Sequence, residues 1–162
     1  MLSFSQNFAY IKQADVLKAL PNYENNIKKA DSLKKNFEAE FKISNDAFGT
    51  KLNEILKKYN VKENETIETI EARMSELDKA KLDVLKKEEE LLRKTEENYN
   101  LQLNEFYKNN IQNLLDKLNV EIEKYAKTNK IDAVYIYENL RTALAYIEAK
   151  KDITAEIIKR IK

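Results

Sequence analysis

The sequence predicts a mainly α-helical protein with a small β-rich body, in which two long helices form an antiparallel hairpin. Three observations predict this fold class. Charged residues make up 35% of the 162 residues, Gly49 and Pro21 are the only glycine and proline, and apolar residues recur at helical spacing over long stretches. Because tight turns and left-handed caps favour glycine, the chain is expected to reverse direction only a few times.

The first two predicted elements are a short strand and a short helix. Residues Phe8 to Ile11 are apolar at every position, which is typical of a strand covered on both faces. The helix is expected from about Asp15, a residue type that favours the N-cap, to Leu20, because Pro21 cannot continue it.

The next predicted element is a long helix from about Asn22 to Tyr59. Its apolar residues form one stripe at helical spacing, which consists of Ile27, Ala30, Leu33, Phe37, Phe41, Phe48, Leu52, Ile55 and Tyr59. Gly49 lies within the stripe, where it weakens a helix by about 1 kcal/mol relative to alanine. We therefore predict a hinge at Gly49.

A hairpin tip is predicted near residues 60–66, with Asn60 as an N-cap and Glu63 as its N3 acid. A second long helix is then expected from about Glu65 to about Lys127. Ile70, Leu77, Val84 and Leu91 follow one another at intervals of seven and predict a seam against the first helix, although polar residues occupy the partner positions. Apolar residues become more frequent beyond Leu103, so packing is predicted to be loose near the tip and firm near the base.

The end of the chain predicts two more strands and a final helix. The β-branched and aromatic run at 131–137 is expected to form a hairpin with residues 143–147, and Asp152 is expected to cap the last helix. Three short strands with two apolar faces cannot cover themselves, so we predict a sheet that closes into a barrel with other copies of the chain. The predicted domains are a body of residues 1–21 and 128–162 and an arm of residues 22–127. The predicted barrel residues are Phe8, Tyr10, Ile11, Val134, Ile136, Leu144 and Tyr146.

The composition argues against several classes of function. The chain contains 29 basic and 28 acidic residues, so no overall basic field favours nucleic acid. It has no histidine, no cysteine and no glycine-rich loop, which excludes the usual catalytic triads, thiolate or imidazole metal sites and a P-loop. Acidic runs such as Glu88 to Glu90 are flanked by basic residues and indicate a solvated helix face. We predict no catalytic residue, metal or cofactor, and no stable membrane insertion.

Three segments of the sequence carry a resemblance to a known family. FAYIKQADVLKALPNY near the start, IDAVYIYENLRTALAYI near the end and the closing KDITAEIIKRIK resemble the Skp/OmpH family of periplasmic chaperones, and the similarity covers essentially the whole chain. The resemblance implies a homotrimer with a β-barrel body and three helical arms. It also implies a periplasmic protein that holds unfolded outer-membrane proteins between its arms without ATP.

The stripe of the first long helix then has two interpretations. Its side chains can pack the seam between the two helices of the arm, or some can remain accessible and contact unfolded proteins. The residues predicted for such contact are Phe37, Phe41, Phe48, Leu52, Ile55 and Tyr59.

Two alternative functions remain open at this point. One is a coiled-coil structural adaptor or stator that uses the hairpin for rigid assembly, and the other is a prefoldin-like cytosolic chaperone. The second is disfavoured because the predicted strands lie at the chain ends and not between the helices. Ser3, Phe4 and Ser5 are compatible with the end of a secretory signal that has been removed, and equally with a native cytosolic start.

Overall fold

The computed structural model of the protein describes residues 7–162; the signal prediction at Ser3, Phe4 and Ser5 lies outside them. The described chain is mainly helical with one two-stranded sheet. Its contacts define two compact units: a body unit of residues 7–30 and 105–162, and an arm unit of residues 31–104. The predicted domain boundaries at 21/22 and 127/128 stay a prediction.

The body unit is built around a parallel pair of strands. Strand β1 (Phe8–Ile11) pairs with β2 (Ala133–Ile136). Helices α1 (Gln13–Ala19), α5 (Asn113–Thr128) and α7 (Thr154–Ile161) also belong to the unit. The buried core contains residues of β1, α1, α5 and α7 and two residues next to these helices. They are Ala9, Ile11, Val16, Leu20, Leu118, Ile153 and Ile157. The strand predicted at Phe8–Ile11 is confirmed to the residue.

The caps of the two short helices differ from the prediction. Helix α1 begins at Gln13, so Asp15 lies in its first turn and is not its N-cap. The carboxylate of Glu138 instead accepts hydrogen bonds from the N–H groups of Gln13 and Ala14, at 3.1 and 3.2 Å. Ile153 is the N-cap of α7, so Asp152 is not, although its carboxylate accepts a 2.9 Å hydrogen bond from the N–H of Thr154, the first residue of the helix.

The predicted third strand is wrong for the single chain. Residues 143–147 form no strand, and Tyr137 begins the short helix α6 (Tyr137–Leu140) where the second strand was expected to continue. A strand needs a neighbour for its backbone hydrogen bonds, and no strand in the described chain pairs with residues 143–147. Leu144 and Tyr146 are 44% and 80% exposed as a result.

The long helices are confirmed, with an interruption that the sequence did not predict. Helix α2 (Tyr23–Leu56) continues into a 3₁₀ turn at Lys57–Tyr59. It is followed by the short helix α3 (Ile67–Glu71) and by α4 (Glu76–Tyr107), which joins α5 through a π-helical turn at Lys108–Gln112. No helix among residues 7–162 combines the length and the apolar character needed to cross a bilayer.

Contacts that α2 and the 3₁₀ turn after it make with α4 show that the two long helices of the arm unit are antiparallel. Phe37 packs on Tyr99, Lys51 pairs with Glu88, and Lys58 pairs with Asp78. The partner number falls as the residue number rises, which is the pattern of a helical hairpin.

The tip of this hairpin corrects two predictions. Asn60 has a left-handed backbone with φ 45° and follows the 3₁₀ turn, so it is not an N-cap. Thr66 is the N-cap of α3 and accepts from the N–H of Thr69. The second helix is also not continuous from Glu65, because residues 72–75 separate α3 from α4.

The predicted seam is wrong for three of its four residues. Ile70 is buried, but Leu77, Val84 and Leu91 are 67%, 63% and 66% exposed. The turn at 72–75 explains the difference, since it breaks the helical register between Ile70 and the residues of α4. The inward residues of α4 are Leu82 and Leu85.

Candidate functional site

The middle of the arm unit is loosely packed. We call residues 31–47 and 88–104 the shaft, and none of them is buried. Apolar side chains on the facing surfaces of α2 and α4 are therefore only partly covered. This part of the hairpin differs from the tip, where a true core forms.

An open groove lined by both apolar and charged side chains follows one flank of the shaft. Phe41, Phe48 and Leu92 line a cavity of about 450 Å³. Phe37, Phe41 and Leu103 line a second cavity of about 210 Å³, and both cavities include Phe41 and Glu96. We call the surface formed by Phe37, Phe41, Phe48, Leu92 and Leu103 the aromatic groove.

The charges at the rim of the aromatic groove are mixed and partly paired. Lys94 lies 2.7 Å from Glu90, and Lys34 lies 3.7 Å from Glu38. Because both signs alternate along the rim, no strong field of one sign favours an acidic or a basic ligand. The groove is therefore suited to apolar contact of low sequence selectivity.

A stacked pair of rings holds the two helices together in the shaft. The ring centroids of Phe37 and Tyr99 are 4.2 Å apart and the rings are nearly parallel, at 6°. The Tyr99 hydroxyl donates a 2.9 Å hydrogen bond to Glu40, and this bond, with burial, raises the pKa of Tyr99. Phe37 thus contributes both to the groove and to the packing of the hairpin.

The predicted contact residues separate into two groups. Phe37, Phe41 and Phe48 are half-buried and line the groove, and Phe48 also packs against the tip core. Leu52 and Tyr59 are half-buried against the tip core, and Ile55 belongs to that core with 5% exposure. Ile55 is therefore unavailable for contact, because helix α4 covers the end of the stripe.

The core at the tip consists of Ile55, Ile70, Met74, Leu82 and Leu85, which we call the tip cluster. Beside it lies Asp78, a buried carboxylate. Asp78 accepts hydrogen bonds from the Lys58 ammonium at 2.9 Å and from the Tyr59 hydroxyl at 2.7 Å. These bonds, that of Lys58 first, lower the pKa of Asp78 to about 2.

A second ion pair closes the loop at the tip. The Arg73 guanidinium contacts the Glu65 carboxylate and donates a 2.8 Å hydrogen bond to the carbonyl of Tyr59. The hydrogen bond from Arg73, followed by that from the Lys62 N–H, lowers the pKa of Glu65 to about 2. The carboxylates of Asp78 and Glu65 thus bind other groups of the tip.

One apolar surface that is exposed in the structure was not predicted from the sequence. Leu77, Val84 and Leu91, which we call the aliphatic row, lie on one face of α4 and are exposed. Their spacing of seven was visible but indicated a seam. A seam between two helices needs apolar residues at the partner positions as well, and here these are the polar residues Lys81 and Glu88. This was the signal that the row does not face another helix of the hairpin.

The predicted barrel residues lie in different environments. Tyr10 and Ile11 are buried within the chain, Phe8, Val134 and Ile136 are half-buried, and Leu144 and Tyr146 are exposed. Their role in a barrel stays a prediction, as does the hinge at Gly49. Helix α2 runs through Gly49 without interruption, and no atom lies within 4 Å of the position of an added Cβ.

The described residues hold no metal centre, since no group of acidic side chains among residues 7–162 comes together as a ligand set.

In a comparison with known families, residues 7–161 match the family described as Outer membrane protein (OmpH-like). No curated protein matches the chain at a significant level. The family match extends over both units.

Proposed function

Because this chain belongs to the OmpH-like family, we propose that it is a periplasmic holdase, which binds unfolded outer-membrane proteins and prevents their aggregation without ATP. The family suggests a chaperone role toward outer-membrane proteins. The holdase activity, the site and the compartment are our proposals. The absence of a glycine-rich phosphate loop from the sequence supports a mechanism without nucleotide.

The aromatic groove is the observation that carries the proposal. Unfolded β-barrel proteins expose apolar side chains in many different sequences, so a holdase must bind without strict selectivity. An open row of aromatic and aliphatic side chains provides such contact, because apolar burial is non-directional. The partly paired rim adds no strong field of one sign, and each contact is weak enough to be released.

We further propose that the protein is a homotrimer whose body contains a shared β-barrel. The exposed residues 143–146 and the unpaired side of β2 in the described chain support this arrangement. A strand from another copy would supply the missing backbone partners and cover Leu144 and Tyr146. The molar mass from sedimentation equilibrium tests it: three chains are expected, and a monomer at micromolar concentration contradicts it.

The experiment that tests the holdase proposal is suppression of aggregation. A urea-unfolded outer-membrane β-barrel protein is diluted into buffer with the chain, and light scattering is followed over time. We expect the wild type to suppress scattering. Phe41→Ala should weaken suppression, and Phe41→Leu, which keeps an apolar side chain, should restore most of it.

The matched control is Ile43→Ala. Ile43 is 71% exposed and lies two residues from Phe41 on α2, on a different face of the helix, and it does not line the groove. This variant should suppress aggregation like the wild type. A chain that leaves client scattering unchanged while forming a stable trimer would favour the structural adaptor or stator over the holdase.

A further inference from the structure

The aliphatic row is a second apolar surface, distinct from the aromatic groove. Leu77, Val84 and Leu91 are exposed to nearly the same extent and occupy every second turn on one face of α4. Val84 lines a cavity with Lys51 and Leu85, whereas the groove lies on the side of Leu92 and Arg93. The two surfaces therefore lie on different flanks of the hairpin.

The order of residues along the aliphatic row is nearly symmetric about Val84. Leu77 and Leu91 are each seven residues from Val84. Lys81 lies three residues before Val84, and Glu88 lies four residues after it. When the face is placed against an antiparallel copy of itself, centred on Val84, each apolar residue meets an apolar residue. Lys81 of one copy then lies beside Glu88 of the other.

We propose that the aliphatic row pairs with the same row of a second copy of this chain, in antiparallel orientation about Val84. Leu77 of one copy then packs beside the position of Leu91 in the other, and the two Val84 side chains meet at the centre. Lys81 and Glu88 face residues of opposite charge across the pair. The matched charges favour a second copy over an unfolded chain, which carries no fixed order of charges.

The charges that flank the aliphatic row remain partly accessible for this contact. Lys81 lies 3.8 Å from Asp78 and its side chain is 52% exposed. Glu88 pairs with Lys51 at 2.7 Å, and its own side chain is 31% exposed. From Leu77 to Leu91 there are 14 steps of about 1.5 Å each, so the row is roughly 21 Å long. Such a contact is small, so the pairing is expected to be weak and concentration-dependent.

Disulfide trapping tests the orientation directly, because the chain has no cysteine of its own. Leu77→Cys and Leu91→Cys chains of different mass are mixed and mildly oxidised. Antiparallel pairing predicts covalent dimers that contain one chain of each kind, in clear excess over dimers of either variant with itself. It also predicts that Val84→Cys links to itself.

Leu101→Cys is the matched control, because Leu101 is 62% exposed on α4 but lies off the row. It should link no faster than random collision allows. Self-linking of L77C and L91C without the mixed product would overturn the antiparallel arrangement. If the row variants form disulfides no faster than L101C, the pairing itself is overturned. It is also overturned if an unfolded client, and not a second copy, is what shields these cysteines from oxidation.

A charge exchange gives an independent test that involves no disulfide. In a Val84→Cys background, Lys81→Glu should lower the yield of linked dimer about threefold to tenfold, because it places like charges together. Adding Glu88→Lys restores opposite charges across the pair and should recover the yield. Equal yields for all three proteins would contradict the proposed register. The pairing does not depend on the holdase proposal, and either can fail alone.

Discussion

The tip and the shaft of the arm unit are built from the same two helices, but they pack in different ways. At the tip, Ile55, Leu82 and Leu85 are buried together with Ile70 and Met74. In the shaft, residues 31–47 and 88–104 include no buried side chain. The prediction that packing is loose near the tip is therefore wrong, because the tip contains a buried core.

The difference comes from α3 and the turn that follows it. Two helices cannot enclose a core alone, and α3 supplies Ile70, with Met74 from the turn, as a third layer over the end of the hairpin. Hydrogen bonds to Asp78 and Glu65 then fix the loop. The shaft has no such third layer, so its aromatic side chains stay partly exposed.

The largest expected effect is loss of a buried side chain at the tip. Leu82→Ala should lower the free energy of unfolding by about 3 kcal/mol, because it removes buried methyl groups and leaves a cavity. Leu91→Ala, in the shaft, should change it by less than about 0.5 kcal/mol. Urea denaturation followed by circular dichroism compares the two, and equal losses would contradict the distinction between tip and shaft.

Acid should weaken the tip before it affects the shaft. The pKa values of Asp78 and Glu65, about 2 in the folded chain, are lowered from ordinary values of 3.8 and 4.5. The stabilisation they provide is complete above the ordinary values, declines as the pH falls and is lost below about 2. Amide hydrogen exchange at residues 67–85, measured from pH 5 to pH 2, should show this loss after correction for the intrinsic exchange rate.

Asp78→Asn sharpens the acid experiment. It should reduce tip protection at pH 6 and flatten the dependence on pH, since one of the two shifted carboxylates is gone. Asp83→Asn, on an exposed position of the same helix, is the control and should keep the wild-type profile. A wild-type profile in the D78N variant would show that Asp78 does not hold the tip.

In the shaft, the ring pair should supply most of the measurable coupling between the helices. A double-mutant cycle of Phe37→Leu and Tyr99→Leu is expected to give a coupling of about 1 kcal/mol in the free energy of unfolding, a usual value for stacked rings. Chemical denaturation of the four proteins measures it. A coupling near zero would mean that the ring pair does not hold the two helices of the shaft together.

The smallest effect is expected at Gly49. Gly49→Ala should raise the free energy of unfolding by about 0.5 to 1 kcal/mol, because the position is helical and open and alanine restricts the unfolded chain. Thermal denaturation checks the sign. A loss of stability would indicate a bend at this position in the native protein, in line with the predicted hinge.

Elements whose signal is local were predictable from the sequence. The strand at Phe8–Ile11 and the helix from about Asn22 to Tyr59 follow from their own apolar patterns. The turn at 72–75 was not predictable, because Ala72, Arg73 and Met74 are good helix formers. Tertiary contacts determine it: Met74 is buried in the tip cluster and Arg73 binds Glu65 and Tyr59.

The candidate site was predictable in part for a related reason. Spacing placed Phe37, Phe41 and Phe48 on one face of α2, but their accessibility depends on which residues of α4 lie opposite. Spacing within α2 cannot show that Leu82 and Leu85 cover Ile55 or that the groove near Phe41 stays open. The residues at 143–147 failed as a strand because their propensity is local, whereas pairing needs a second strand.

The central claim is that the aromatic groove of the shaft contacts unfolded outer-membrane proteins. Photo-crosslinking tests it most directly, with a photoreactive amino acid at position 41 or at position 43 and an unfolded β-barrel client. We expect crosslinks to the client from position 41, and far fewer from position 43 on the other face of α2. Equal crosslinking from both positions, or a preference for position 43, would contradict the claim.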